Sequence, residues 1–125
     1  MRGLLIKRPW IDYILAGRKT WEIRGRRSNR RGRIALIRSS SGLIVGVCDL
    51  VDIKGPLSKQ ELLENIDKHL IPASQIERGL RYKKPYAWVL ENARALNPSI
   101  AYRHPRGAVI WVDLSGHPQI NEIFA

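Results

Sequence analysis

The sequence predicts an α+β fold, mainly β: a small mixed β-barrel with peripheral helices. Three observations predict it. Five or six short runs are rich in β-branched residues, the helical stretches between them are brief, and regular strand–helix alternation is absent after residue 32. A closed barrel also removes exposed strand edges at modest length. The 125 residues suffice for one domain and leave no second core, so residues 1–125 read as a single unit with 115–125 as a tail.

Gly3–Lys7 reads as a short buried strand. Pro9 suits the first turn of a helix, and Trp10–Ala16 carries apolar groups at helical spacing before Gly17 stops it. Thr20-Trp21-Glu22-Ile23-Arg24 alternates as a strand does, with Trp21 and Ile23 on one face and Glu22 and Arg24 on the other. Gly32–Arg38 is a third strand. Leu43–Ile53 is a long β-branched strand with Gly46 as a bulge or bend. Ser58-Lys59-Gln60-Glu61 is a capping box opening a helix to about His69, and a second helical stretch follows from Pro72 to about Arg81. Strand character returns at Pro85–Leu90 and at Gly107–Leu114. There is no internal repeat, low-complexity tract or linker.

Charge narrows the function. Twenty-two Lys and Arg against eleven Asp and Glu give a net charge of +11. A small domain this basic usually meets a polyanion, and nucleic acid leads; the bland alternative is a basic surface that only keeps the protein soluble. The charge is concentrated. Arg18 to Arg38 holds nine cations, eight of them arginine, and one acid, Glu22. Arginine's planar fork grips phosphate and stacks on bases better than lysine does. Gly25–Gly32 reads as a loop presenting Arg26, Arg27, Arg30 and Arg31 to phosphates.

The focus is Gly17-Arg18-Lys19-Thr20-Trp21-Glu22-Ile23-Arg24, which runs from a helix end straight into a strand. Lys19, Glu22 and Arg24 fall within a few ångströms of one another, a set able to hold a phosphate or a base edge. Lys19 among arginines should have its charged form disfavoured, which suits a base or nucleophile. An ordinary exposed ion-pair strand fits the same spacing. Trp10 reads either as a stacking platform or as core. Tyr82 and Tyr86 flank Lys83-Lys84-Pro85, either a second contact line for a single strand or a packed loop.

Other chemistries lack support. The single cysteine, Cys48, forms no internal disulfide, and the three histidines have no metal-ligand spacing. No P-loop, nucleophile-elbow or zinc-deaminase motif occurs, so neither a metal nor a cofactor is expected. No apolar run is long enough for a membrane span or a signal peptide, so a cytoplasmic location is the expectation.

With these residues in view, the sequence resembles the ASCH domain family of the PUA-like superfamily. The resemblance rests on Arg8-Pro9-Trp10, on Ile14–Arg24 with its Gly-x-Lys-x-x-Glu-x-Arg signature, and on Arg31–Ile34. It continues through Gly46–Asp52, Tyr86–Asn92 and His104–Val112, nearly all of residues 3–114. The Pro-Trp and Trp-Glu-x-Arg variety looks most like the activating-signal-cointegrator homology domains.

The resemblance implies a barrel with a basic cleft beside the signature and RNA, or single-stranded nucleic acid, as partner. Trp10, Arg18, Lys19, Glu22, Arg24, Arg26, Arg27, Arg30, Arg31 and Tyr86 are the candidate contacts. It also implies a hydrolase alternative, with Lys19 and Glu22 catalytic, because some small bacterial members are amidohydrolases that remove the acetyl group of N4-acetylcytidine and other members have been assigned ribonuclease activity. Those amidohydrolases use a lysine matching Lys19, a threonine and a downstream glutamate. Here Glu22 stands at the threonine's position, Thr20 shares its strand face, and Glu77 and Glu91 are the candidate glutamates. A module that binds an acidic protein is the third reading.

Overall fold

A computed structural model describes residues 1–123, with side chains through Glu122. Six strands form one sheet in the order β2-β5-β4-β3-β1-β6, curled into a half-barrel. They are β1 (Arg2–Ile6), β2 (Trp21–Arg24), β3 (Gly32–Arg38), β4 (Leu43–Lys54), β5 (Tyr86–Ala101) and β6 (Trp111–Asp113). Among the described residues only the β1–β3 pair is parallel. The mixed, mainly β class is as the sequence predicts, with an open seam between edge strands β2 and β6.

β1 and β3 are unbroken apolar runs because both of their faces are covered. Leu4, Ile6, Ile34 and Leu36 enter one core layer with Leu50 and Trp88. Leu5, Ala35 and Ile37 enter another with Ile44, Val112 and Ile120. On β2, Trp21 and Ile23 pack into a third layer with Leu57, Leu62, Ile71 and Ile76. Alternation therefore turns Glu22 and Arg24 to the opposite side of the strand.

The helices are short: α1 (Trp10–Leu15), α2 (Lys59–Glu64), α3 (Ile66–His69), α4 (Ala73–Arg78) and α5 (Pro118–Ile123). The Ser58–Glu61 capping box is present in both directions. The single helix predicted to His69 breaks at Asn65, whose φ of −122° lies outside the helical range. The stretch predicted to Arg81 stops at Arg78, because Gly79 adopts φ +96°. Within the predicted tail, Pro118–Ile123 form α5. Its Ile120 is fully buried, while residues 124 and 125 of that tail lie outside the described residues.

Two strand expectations are corrected. β5 continues eleven residues past Leu90, paired with β4 as far as Ala101↔Leu43. β6 is confined to Trp111–Asp113, because residues 102–110 form a loop pinned by His104 Nε2 to the Ala108 carbonyl at 2.9 Å.

Gly46 does mark a bend: the β4–β5 register shifts between Ile44 and Gly46. A Cβ there would sit 2.3 Å from Leu15 Cδ2 and 2.7 Å from the Arg94 carbonyl oxygen. Gly46→Ala must push α1 or β5 aside. It is expected to cost about 1–3 kcal/mol, read as a lower denaturation midpoint with unchanged slope.

Candidate functional site

The site begins where α1 ends. Gly17 adopts φ +78°, and the amides of Arg18 and Lys19 both donate to the Tyr13 carbonyl, at 3.0 and 3.1 Å. This left-handed turn delivers Lys19 inward at the foot of β2. Lys19 is 2 % exposed and Glu22 6 %, so the exposed ion-pair reading of this strand does not hold.

Lys19 Nζ donates to the carbonyls of Trp21 at 2.7 Å and His69 at 2.6 Å, and lies 3.6 Å from Glu22 Oε1. The other Glu22 oxygen receives Arg24 Nε at 3.0 Å and Nη2 at 2.9 Å. Arg24 Nη2 also donates to the Leu5 carbonyl at 2.8 Å, crossing the open seam from β2 to β1. Both carboxylate oxygens are engaged, as a buried charge requires.

Burial pushes the Lys19 ammonium down to about 8, and the Glu22 carboxylate opposes that shift without cancelling it. The depressed basicity expected from neighbouring arginines is thus present, but its main cause is loss of water. Arg24 adds the smallest part.

Over this network opens a cleft of about 610 Å³. Trp10, Tyr82 and Trp88 give it aromatic walls; Leu5, Ile23, Ile71, Leu80, Val109 and Ile110 give aliphatic ones. Five cations line it (Lys7, Lys19, Arg24, Arg26 and Arg81) against one carboxylate, Glu22. Ser39 and Gln75 are its neutral polar groups. Lys19 Nζ sits 5.0 Å from the Trp10 ring centre, and Trp10 is half-buried, both packed and facing the cleft.

Of the sequence candidates, Trp10, Lys19, Glu22, Arg24 and Arg26 come together here. Arg18, Arg27, Arg30, Arg31 and Tyr86 do not line the cleft. Arg18 lies over Tyr13 at 5.2 Å, Arg27 over Tyr86 at 5.7 Å, and Arg30 over Trp111 at 5.4 Å. Arg31 Nη1 donates to the Ser28 and Arg30 carbonyls, at 2.9 and 2.8 Å. The arginine loop is exposed, but it folds across the aromatic seam where Trp88 stacks on Trp111 at 5.8 Å.

Thr20 is exposed and outside the lining. Glu77 pairs with Lys59 at 2.7 Å, and Glu91 is exposed on β5. No such lysine–threonine–glutamate set assembles around Lys19 among the described residues. Nor do three His, Cys, Asp or Glu side chains gather among them where a metal could be held. Lys7, Gln75, Leu80, Arg81, Val109 and Ile110 were not legible as site residues. They reach the cleft from four separate segments, and only the 78 % exposure of Val109 is unusual for its type.

The family model of the ASCH domain matches residues 4–100, most of the chain. The chain belongs to the ASCH domain family. Similar solved structures include a serine-to-alanine mutant of the ASCH protein of Zymomonas mobilis, 15 % identical with a TM-score of 0.74, over 98 % of this chain and 94 % of that one. A tyrosine-to-phenylalanine mutant of the same protein is 14 % identical with a TM-score of 0.73, over 98 % and 96 %. The ASCH protein from that organism is also matched at 16 % identity, TM-score 0.62, over 75 % of this chain and 68 % of that one. At such identities the likeness is one of fold. No curated protein matches the chain at a significant level. No helix among the described residues of this ASCH domain is long and apolar enough to cross a membrane.

Proposed function

We propose that this ASCH domain binds single-stranded nucleic acid, RNA in preference to DNA, by taking one unstacked nucleotide into the cleft. The observation that carries the reading is the pairing of aromatic walls with five cations around a single, internally neutralised carboxylate. A base needs a flat apolar surface and a phosphate needs cations; this cleft supplies both. Its volume of about 610 Å³ is in the range that small ligands fill. Ser39 and Gln75 offer neutral hydrogen-bonding groups to a 2′-hydroxyl, the group that separates RNA from DNA. The flanking phosphates would run over Arg26, Arg27, Arg30 and Arg31.

Fluorescence anisotropy with labelled eight-nucleotide RNA and DNA of one sequence tests this across a salt series. Saturable binding, tighter for RNA and weakening steeply with salt, is the expected result. No saturable binding at 50 mM salt would remove the reading.

A hydrolase reading has one specific observation in its favour: an ammonium at about 8 leaves a neutral amine fraction near physiological pH. Against it, the Lys19 donors already serve two carbonyls and Glu22. Incubation of RNA and of N4-acetylcytidine with wild type and Lys19→Ala separates the readings. Turnover that vanishes in the variant would make Lys19 catalytic; intact RNA and nucleoside leave a binding module.

A further inference from the structure

His69 is a completely buried histidine that neither the signature nor the cleft lining includes. It is the last residue of α3, and Leu70 after it turns left-handed at φ +63°. That turn brings the amide of Ile71 back beneath the imidazole. Nδ1 accepts from Ile71 N–H at 2.9 Å, and Nε2 lies 2.7 Å from the Leu62 carbonyl oxygen.

These partners fix the protonation state. A carbonyl only accepts, so Nε2 carries the hydrogen; an amide only donates, so Nδ1 is bare. The ring is therefore neutral, and an imidazolium could not keep the Ile71 bond. The main-chain carbonyl of the same residue holds Lys19 Nζ at 2.6 Å, and the neighbouring Lys68 carbonyl receives Thr20 N–H at 2.9 Å. One short helix thus joins the foot of β2 to the segment bearing Ile71, a wall of the cleft.

We propose that His69 is a positioning residue for the cleft, holding Lys19 and Ile71 in place while neutral and releasing them when protonated. Its consequence for binding rests on the nucleic-acid reading above. The charged groups facing the ring are Lys19, from the connection between α1 and β2, and Asp67, on its own helix. The α2 helix presents the Leu62 carbonyl, and the segment after α3 presents the Ile71 amide. Burial and Lys19 press the ring toward neutrality, while the Leu62 carbonyl and Asp67 oppose them; the direction is downward. Basic proteins ordinarily bind RNA more tightly as acid is added. Here acid should weaken binding.

The test has two readouts. The first is nitrogen NMR of the imidazole with the Ile71 amide and Lys19 side-chain signals followed from pH 8 to pH 5. The Nε2–H tautomer at neutral pH is expected, with the imidazole and the Ile71 amide moving at one midpoint below 6.5 and the Lys19 signals showing that same midpoint besides their own titration near 8. An Nδ1–H ring, or an imidazole that titrates without moving Ile71 and Lys19, overturns the proposal.

The second is affinity for the eight-nucleotide RNA over the same range. If only the neutral form is competent, affinity falls about tenfold one unit below the midpoint. His69→Asn keeps an acceptor for Ile71 but cannot titrate, so its affinity should lose that acid-side fall. An acid-side fall that persists in a folded His69→Asn variant overturns the proposal. RNA that binds at no pH, with the three signals still titrating together, removes the binding reading and supports the positioning role.

Discussion

Lys19→Met is expected to lower stability by about 2 kcal/mol at pH 7, and the deficit should grow as the solution is made alkaline. The substitution keeps the side chain's length and removes its charge. The Trp21 and His69 carbonyls lose their shared donor, and Glu22 keeps only Arg24. Removing one member of a buried network leaves the others unsatisfied, each at a cost of order 1–3 kcal/mol; relief from burying an ammonium offsets part of that. At this chain length the melting temperature should drop by about 8 °C.

The sign of the pH dependence follows from the Lys19 ammonium, held down to about 8 from its ordinary 10.5. Between those values the unfolded chain holds a proton that the folded protein does not. Wild-type stability from this group therefore rises with pH in that window. The gap between wild type and Lys19→Met should widen by about 1 kcal/mol per unit on average between pH 8 and pH 10, approaching the one-proton limit of about 1.4 near the middle of that range. Chemical denaturation of both proteins at matched pH values reads it directly. A gap that stays level would mean that Lys19 is not desolvated as the geometry requires. Adding Glu22→Gln should restore part of the loss at pH 7, because the buried carboxylate left short of a partner is then gone.

This network was legible because it lies within one segment. The left-handed glycine and the two-residue alternation from Glu22 to Arg24 place three side chains with no knowledge of the rest of the chain. Trp10 apart, the walls were not legible, for the opposite reason. Lys7, Gln75, Arg81 and Val109 are ordinary surface residue types that only tertiary folding brings together.

Among the elements, β1, β3 and the first half of β4 stood out because burial on both faces leaves apolar runs that polar patterning does not interrupt. The second half of β5 was hidden by its own exposure. Glu91, Asn92, Asn97 and Pro98 are poor strand formers, yet the strand is held by pairing with β4 through bulges at three places. Asn92 even takes φ +55° there. A strand stabilised by its neighbour's hydrogen bonds leaves little signal in its own side chains. Likewise α5 buries Ile120, which no periodic pattern announces.

The second large effect concerns the arginine loop. With Arg26, Arg27, Arg30 and Arg31 all changed to Ala, RNA affinity at low salt should fall by about a hundredfold or more. The plot of log affinity against log salt should flatten by roughly 2–3 units, since each phosphate neutralised on a single strand contributes about 0.7. An unchanged slope would take the loop off the RNA path.

The structure adds a complication that the charge count did not show. Arg27 lies over Tyr86, Arg30 lies over Trp111, and Arg31 donates to the Ser28 and Arg30 carbonyls, so three of the four already have partners. Such exposed ring contacts are worth only about 0.5–1 kcal/mol each. A phosphate, which satisfies a full charge in a bidentate way, can therefore compete for the same guanidinium. Changing the four to Lys separates the two roles. Lysine retains the charge and hence the slope, but it lacks the planar fork that stacks on a ring and grips phosphate at once. The Lys variant should keep the wild-type salt dependence and bind more weakly at every salt concentration. If it matched wild type in both respects, the loop would act as charge alone, and its placement across the Trp88–Trp111 seam would be a matter of folding rather than recognition.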